Sequence, residues 1–231
     1  MKVYIGWDER ESEAAGVAVS SLNRVSGMSA ELLDAGKLAD HGFLTRVSDH
    51  RGGQDYDLIS NAKKSTRFAI SRFLTPLLAQ HGWALYADCD VVFYRSPLDM
   101  LTEIQDHKAK AVYVVQHEPM PLTPTKMVNQ DQQPYPRKNW SSVMLFNCNH
   151  PANRRLTLWD INHRPGRDLH RFYWLSDDEI GVLDPGWNWL VNVEPKPERL
   201  GIGHWTLGGP WMLGWLPAPH DEMWLEAAKT R

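Results

Sequence analysis

Two carboxylates separated by one residue, Asp88-Cys89-Asp90, stand between two apolar runs, Trp83-Ala84-Leu85-Tyr86-Ala87 and Val91-Val92-Phe93-Tyr94. The first run reads as a buried strand. Burying one ionised carboxylate is costly, and burying two side by side is costlier. The pair therefore belongs at a strand end facing a cleft, where a divalent cation can neutralise it. Hard cations such as Mg²⁺ and Mn²⁺ prefer carboxylate oxygen and keep positions open for phosphate. An Asp-x-Asp at a strand end thus points to a metal that holds a diphosphate. The competing reading is a loop in which aspartates cap turns, but hydrophobic residues crowd both sides of this pair.

Such a pair needs a sheet to hold it, and the chain supplies the pieces. Residues 2–7 read as a first strand ending in Trp7-Asp8. Glu11 to Leu22 reads as a helix with Ala14, Val17, Ala18 and Leu22 on one face. Glu31-Leu32-Leu33 suits a second strand, and residues 48–57 are loop-like. From Ala62 to Gln80 the positions Ile70, Phe73, Leu74, Leu77 and Leu78 follow the helical period, with Pro76 as a kink. Ser96-Pro97 opens a short helix. Ala111–Val115 and Val143–Phe146 read as buried strands, and residues 151–162 as helical. Between them, residues 118–138 are rich in Pro, Gln and Thr and lack periodicity, which suits a lid. Beyond Asp184 the chain is rich in Gly, Pro and Trp until a closing helix near Asp221–Ala228. Strands alternating with helices argue for an α/β sheet covered on both faces. Such sheets bind ligands at the carboxyl ends of their strands, where Asp8 and the acidic pair would lie.

Composition narrows the partners. With 231 residues the chain suits one domain with a sizeable core. A net charge of -3 implies no broad basic surface, so nucleic acid is disfavoured as a partner. Cys89 and Cys148 make no metal spacing and no disulfide framework, which fits a reducing cytosol. The chain enters its first strand directly from Met1 and has no run of about 20 apolar residues. A cytoplasmic location with at most peripheral membrane association is expected. Of 11 tryptophans, nine fall from Trp140 onward. They serve either as core bulk or, for a few, as flat faces for sugar rings.

The order of these features resembles the glycosyltransferases of the GT-A fold, most closely the family-8-like enzymes that include glycogenin and bacterial lipopolysaccharide galactosyl- and glucosyltransferases. The likeness runs over most of the chain. It rests on Ile5-Gly6-Trp7-Asp8, Ser71-Arg72-Phe73, the signature Leu85-Tyr86-Ala87-Asp88-Cys89-Asp90, the strand entry Trp140-Ser141-Ser142, the cluster Asp177-Asp178-Glu179, the pair Trp187-Asn188, and the loop Gly203-His204-Trp205-Thr206-Leu207-Gly208-Gly209-Pro210-Trp211. Several motifs in order are stronger than any one. The resemblance implies a single GT-A (Rossmann-like) domain over 1–231. Residues 1–117 would form its nucleotide-binding half, 118–138 its lid and 139–231 its acceptor side. It implies a mixed central sheet flanked by helices, with an irregular C-terminal part.

The resemblance also implies site roles. Asp88, Asp90 and His204 would hold Mn²⁺ (or Mg²⁺), with Asp88 also facing the ribose. Asp8, Arg72, Trp140, Ser141 and Gly208 would contact a nucleotide-sugar donor of the UDP-sugar type. Asp177 and Asp178 would act near the anomeric carbon, with retention of configuration. Plainer readings stand beside several of these. Asp8 is also a strand-end turn residue, Arg72 also a surface charge on a helix, and Asp177-Asp178-Glu179 also an acidic helix start. The implied acceptor is a glycan, a lipid-linked sugar or a protein.

Three positions depart from the family pattern. Trp140-Ser141-Ser142 replaces Asn-x-Gly, Gly209 replaces a lysine that grips the diphosphate, and Asp178 stands where the family often has Gln. Arg67, Arg72 and Lys64 are the cations that could serve instead. A sugar nucleotidyltransferase would want a Gly-rich phosphate loop after the first strand, where Trp7-Asp8-Glu9-Arg10-Glu11 stands. A phosphatase of the haloacid-dehalogenase type would want Asp-x-Asp-x-Thr on the first strand, whereas here the pair is central. A non-catalytic carbohydrate-binding protein on the same scaffold remains the alternative. Because the two carboxylates serve the cation, replacing both with asparagine is expected to leave the fold intact.

Overall fold

A computed structural model describes residues 1–51, 54–105, 109–118, 137 and 139–230. In chain order its strands are β1 (Lys2–Trp7), β2 (Glu31–Asp34), β3 (Ser48–Arg51), β4 (Gln54–Asp57), β5 (Ala62–Lys63), β6 (Trp83–Ala87), β7 (Val91–Phe93), β8 (Val112–Val114), β9 (Val143–Asn147), β10 (Ile180–Val182), β11 (Trp189–Leu190) and β12 (Ile202–His204). Its helices are α1 (Ser12–Ser26), α2 (Ala35–Asp40), α3 (Thr75–Ala79), α4 (Leu98–Glu103), α5 (Leu158–His163), α6 (Gly166–His170) and α7 (Asp221–Lys229).

The main sheet runs in the order β10-β8-β9-β6-β1-β2. β9 is antiparallel to both its neighbours, and the remaining pairs are parallel. This is a mixed α/β sheet, as expected. Its central strands read Val-Tyr-Ile and Ala-Leu-Tyr-Ala because both faces are covered: Tyr4, Ile5, Leu85, Tyr86, Leu145 and Phe146 are all buried. Helix α1 buries Ala14, Val17, Ala18 and Leu22, and closes at Gly27 in the left-handed conformation, with φ 68°.

A second sheet adjoins the first through the chain itself. β7 pairs with β12, and β12 with β11. β6 and β7 are separated only by Asp88-Cys89-Asp90, so the acidic triplet is the corner where the chain passes from one sheet to the other.

Several expected elements differ. The long helix over 62–80 is not formed. Ala62–Lys63 pairs with β4, Ser71–Leu74 is a 3-10 turn, and helix α3 begins only at Thr75. Pro76 opens that helix instead of kinking a longer one, which is where its fixed φ and missing N–H are tolerated. The apolar spacing reflected burial: Ile70, Phe73 and Leu74 are buried by turns rather than by one helical face. Residues 48–57 carry an antiparallel pair, β3 with β4. Residues 151–162 divide into a 3-10 turn, Pro151–Arg155, and α5, which Thr157 and Asp160 open with a capping box. The expected lid, 118–138, falls outside the described residues apart from Glu118 and Arg137. Five of the late tryptophans, Trp174, Trp187, Trp189, Trp205 and Trp224, are core bulk.

Candidate metal centre

β1 and β6 run in parallel, with Ile5 beside Ala87, so the residues that follow them, Asp8 and Asp88, emerge at the same carboxyl end of the sheet. β12 brings the third partner. Its register sets His204 beside Val91, and the Trp205 N–H donates to the Asp90 carbonyl over 2.9 Å. Residues more than a hundred positions apart thus meet through one short antiparallel ladder. One ligand atom from each of Asp88, Asp90 and His204 lies within 4.8 Å of the others. His204 Nε2 is 3.2 Å from Asp90 Oδ1. Asp88 and His204 are buried, and the Asp90 side chain keeps 14% exposure at the rim.

Each carboxylate has its own environment. The Asp88 N–H donates to the Ser142 carbonyl, which ties the corner to the start of β9. Asp88 Oδ1 accepts from the Tyr86 hydroxyl at 2.7 Å and lies 3.1 Å from Arg72 Nη1. The guanidinium also lies over the rings of Tyr86 and Phe68, and Nη1 donates to the Ser141 carbonyl at 2.9 Å. Burial pushes the Asp88 carboxyl up, Arg72 pulls it down, and Asp90 pushes it up again, with a raised pKa as the net result. Gly6 makes room for this arrangement: a Cβ there would lie 2.6 Å from the Phe68 ring and 2.8 Å from the Tyr86 hydroxyl.

These donors fit a divalent cation of the Mn²⁺ or Mg²⁺ kind. Two buried or nearly buried carboxylates and one imidazole converge with a single guanidinium to balance them. The donor set is oxygen-rich, with one borderline nitrogen.

Arg72 is therefore a buried partner of Asp88 and not a surface charge. Asp8 is fully buried, and its role is visible: it caps the 3-10 turn Glu9–Glu11. Its oxygens accept from the Arg10 backbone N–H and side chain and from the Arg67 backbone N–H at 3.0 Å. Burial opposes its charge, yet the bonds from Arg10 and Arg67 together hold its pKa below the usual range. Ser141 is buried, with its hydroxyl 2.7 Å from His170 Nδ1. Burial, and then the Arg72 charge, lowers the His170 pKa to about 3, so this imidazole stays neutral. Trp140 is half-buried, and its indole N–H donates to the His117 carbonyl. Gly208 turns the loop after β12 with φ 107°. A Cβ on Gly209 would lie 2.2 Å from the Trp211 ring, so the indole fills the direction in which the family's lysine would extend.

Asp177 and Asp178 are not brought to this cluster. They precede β10, whose first residue Ile180 is in register with Val112, Phe146 and, on β6, Ala84. That is the amino end of the parallel strands. Three strand spacings across and three residues down put Ile180 roughly 15–20 Å from Ala87. The Asp178 carbonyl accepts from Lys110 just before β8, and Asp177 pairs with Arg137 at the surface. The physical reason is the parallel pairing of β10 with β8, which sends the acidic turn to the far edge.

Glu11 was missed in the sequence and belongs to the site's electrostatics. The Cys89 thiol lies 3.7 Å from its Oε2. Burial first, then the charges of Asp90, Asp8 and Asp88, raise its pKa to about 8. The acidic run Asp8-Glu9-Arg10-Glu11 directly after β1 was the available signal. Folded protein then keeps a proton that the unfolded chain loses near the usual glutamate value of 4.5. Stability of the metal-free protein should fall as pH rises from about 4.5 to about 8 and level off above that, by a few kcal/mol at about 1.4 kcal/mol per pKa unit. Glu11→Gln, neutral throughout, should flatten that decline. Melting temperatures across the range, in chelator, are the check, and identical slopes in both proteins would rule out this role for Glu11.

No protein-family model matches the chain. Among curated proteins, Protein CDI of Arabidopsis thaliana is 36% identical over 231 aligned residues, which span 97% of this chain and 84% of the relative. Among solved structures, the galactosyltransferase LgtC in complex with donor and acceptor sugar analogues superposes with a TM-score of 0.59 at 15% identity, covering 100% of this chain and 96% of LgtC. The glycosyltransferase GlyE of Streptococcus pneumoniae TIGR4 superposes with a TM-score of 0.55 at 15% identity over 98% of this chain, which spans only 59% of GlyE. At these identities the likeness establishes the fold, which is the GT-A fold of glycosyltransferases. No helix among the described residues is long and apolar enough to cross a membrane.

Proposed function

The chain belongs to the family of Protein CDI, and from that premise we propose that it is a metal-dependent glycosyltransferase that moves a hexose from a UDP-type donor to an acceptor, with retention. The observation that carries this reading is the meeting of Asp88, Asp90 and His204 at the corner between two sheets, at the carboxyl end of β6. Open α/β sheets bind ligands at that end. The shared fold with glycosyltransferase structures supports the same reading.

Asp88, Asp90 and His204 would hold Mn²⁺ or Mg²⁺. A cation bound there would offset the charge that grows on the leaving diphosphate. The protein's own part is to fix the corner. Arg72 and Tyr86 hold Asp88 in place, and the β7–β12 ladder carries His204 to it. Arg67, half exposed and adjoining Asp8 through its backbone, is the cation on this sheet end best suited to replace the family's lysine. Residues 1–117 would then form the donor side and 139–231 the acceptor side, with a glycan, lipid-linked or protein acceptor. The family-8-like assignment and a cytoplasmic location belong to the same proposal.

A second reading is a sugar- or nucleotide-sugar-binding protein that has kept the scaffold. The distance of Asp177 and Asp178 from the cluster favours it, as does the glycine at 209. Thermal unfolding with UDP, with and without Mn²⁺, followed by turnover with a panel of nucleotide sugars, separates these. We expect UDP to stabilise the protein by several degrees only when Mn²⁺ is present, and His204→Ala to weaken that binding and shrink the gain while remaining folded. Stabilisation that ignores the metal would overturn metal dependence, and metal-dependent binding without transfer to any acceptor or water would favour the binding protein.

A further inference from the structure

A chain of hydrogen bonds of fixed direction runs behind His204. Glu194 Oε1 lies 2.8 Å from His117 Nδ1. His117 Nε2 lies 3.0 Å from Asn188 Nδ2, and the same Nδ2 lies 2.9 Å from the Ser142 hydroxyl. Asn188 Oδ1 lies 3.0 Å from His204 Nδ1. His117, Asn188, Ser142 and His204 are all buried, and Asn188 and His204 sit on consecutive segments of the second sheet, at the entry to β11 and the end of β12.

The direction follows from the ends inward. The Glu194 carboxylate can only accept, so His117 Nδ1 donates to it, and in the tautomer that this selects Nε2 is the accepting nitrogen. Asn188 must then offer its NH₂ to His117. The Ser142 hydroxyl fixes the amide independently, because its own proton goes to the Asn139 carbonyl at 2.7 Å and its oxygen can therefore accept. Both neighbours of Nδ2 require a donor, so Oδ1 is what faces His204. His204 Nδ1 must donate to it, so Nε2, which faces Asp90 Oδ1 at 3.2 Å, is the ring nitrogen left to meet a cation at the Asp88–Asp90 corner.

Resting on the glycosyltransferase reading above, we propose that Glu194, His117 and Asn188 are positioning residues that lock His204 in the one tautomer able to ligate a cation. The arrangement resembles in its logic the carboxylate-to-histidine contacts that orient metal ligands generally, extended here through an amide and a second imidazole. Partners of this kind are worth about 10–100-fold in metal affinity. The relay also ties the site to the strand entry: Trp140 donates to the His117 carbonyl, and Ser142 accepts Asp88's backbone N–H through its own carbonyl. The single turn Trp140–Ser142 therefore both anchors Asp88 and supports the relay behind His204.

Two measurements test this. The first needs no metal: nitrogen-15 NMR of the imidazoles in the full-length metal-free protein should show a proton on Nδ1 of both His117 and His204. An unprotonated Nδ1 on His204 overturns the relay. The second is calorimetric titration of Mn²⁺ in the presence of UDP. Asn188→Ala should weaken Mn²⁺ binding by about 10–100-fold, while Asn188→Asp, which still accepts from His204 but leaves His117 Nε2 and the Ser142 hydroxyl without their donor, should lose less than Asn188→Ala. In a His204→Ala background, Asn188→Ala should cost nothing further, because its effect is routed through the missing ring. Multiplying losses would assign Asn188 a purely structural role and overturn the proposal. Should Asn188→Ala fail to fold, Glu194→Gln serves. Its amide no longer dictates the direction, so a smaller but measurable loss is expected, and an unchanged affinity counts against the relay. Unaltered protein that binds no Mn²⁺ with UDP overturns the proposed function instead, and the NMR result still decides the relay.

Discussion

Asp90→Asn should abolish Mn²⁺-dependent binding of UDP while leaving the protein folded. Asp90 faces His204 Nε2 at 3.2 Å, and its side chain is at the rim of the site. An asparagine there can still hydrogen-bond to that same nitrogen, so this contact survives. It also loses a charge that raises both Asp88 and Glu11, which removes repulsion from the corner. Binding has no such compensation. An amide oxygen is a weaker ligand than a carboxylate, and the amide N–H would occupy the imidazole lone pair. The loss in metal affinity should exceed the 10–100-fold typical of residues that only orient ligands. Calorimetry with Mn²⁺ and UDP reads this directly. Affinity within a few-fold of the unaltered protein would mean that Asp90 is not a ligand. Asp88→Asn is a different experiment, because Asp88 is the charge partner of a buried guanidinium. The joint replacement expected from the sequence to be structurally silent should therefore destabilise the protein, through Asp88 alone.

How far the site was legible depended on how local its determinants are. Asp88 and Asp90 stand out because the apolar runs around them are contiguous in the chain, and a strand end is a local property. The mixed sheet followed from the same runs. His204 is different: only the pairing of β12 with β7 brings it to Asp90, and nothing near residue 204 encodes that partner. It was reachable through the order of family motifs, not through periodicity. Arg72 stood between two readings because a sequence does not show burial, and here burial is the whole distinction. The same is true of Asn188, which was visible only as half of a Trp-Asn pair, and of His117 and Glu194, which had no signal at all. The helix expected over 62–80 failed because apolar spacing records which residues are buried, and turns can bury the same residues as a helix. Asp177 and Asp178 were misplaced for a topological reason. An acidic turn looks alike at either end of a strand, and only the direction of β10 sends it away from the corner.

Arg72→Met should destabilise the metal-free protein strongly, and a divalent cation with UDP should restore an unusually large share of the loss. Arg72 has a side-chain exposure of 7% and faces Asp88 at 12%. Methionine fills the space of the stem but leaves the Asp88 carboxylate with the Tyr86 hydroxyl and no opposing charge from this side. Removing one partner of a buried pair costs about 3–5 kcal/mol, because the remaining charge is uncompensated. For a chain of this size that corresponds to roughly 6–20 °C in melting temperature. Part of the penalty is met by protonating Asp88, which burial already favours. Bound Mn²⁺ supplies the opposing charge that the methionine side chain lacks, so the rise in melting temperature on adding Mn²⁺ and UDP should be larger in the variant than in the unaltered protein. Any ligand that prefers the folded state stabilises it by mass action, so the test lies in the difference between the two proteins. Arg72→Lys keeps a charge but not the planar fork that also reaches the Ser141 carbonyl, and should fall between them. If the Arg72→Met variant melts with the unaltered protein, Asp88 does not depend on Arg72. If it is destabilised but gains no more from Mn²⁺ and UDP than the unaltered protein does, the cation is not bound at Asp88.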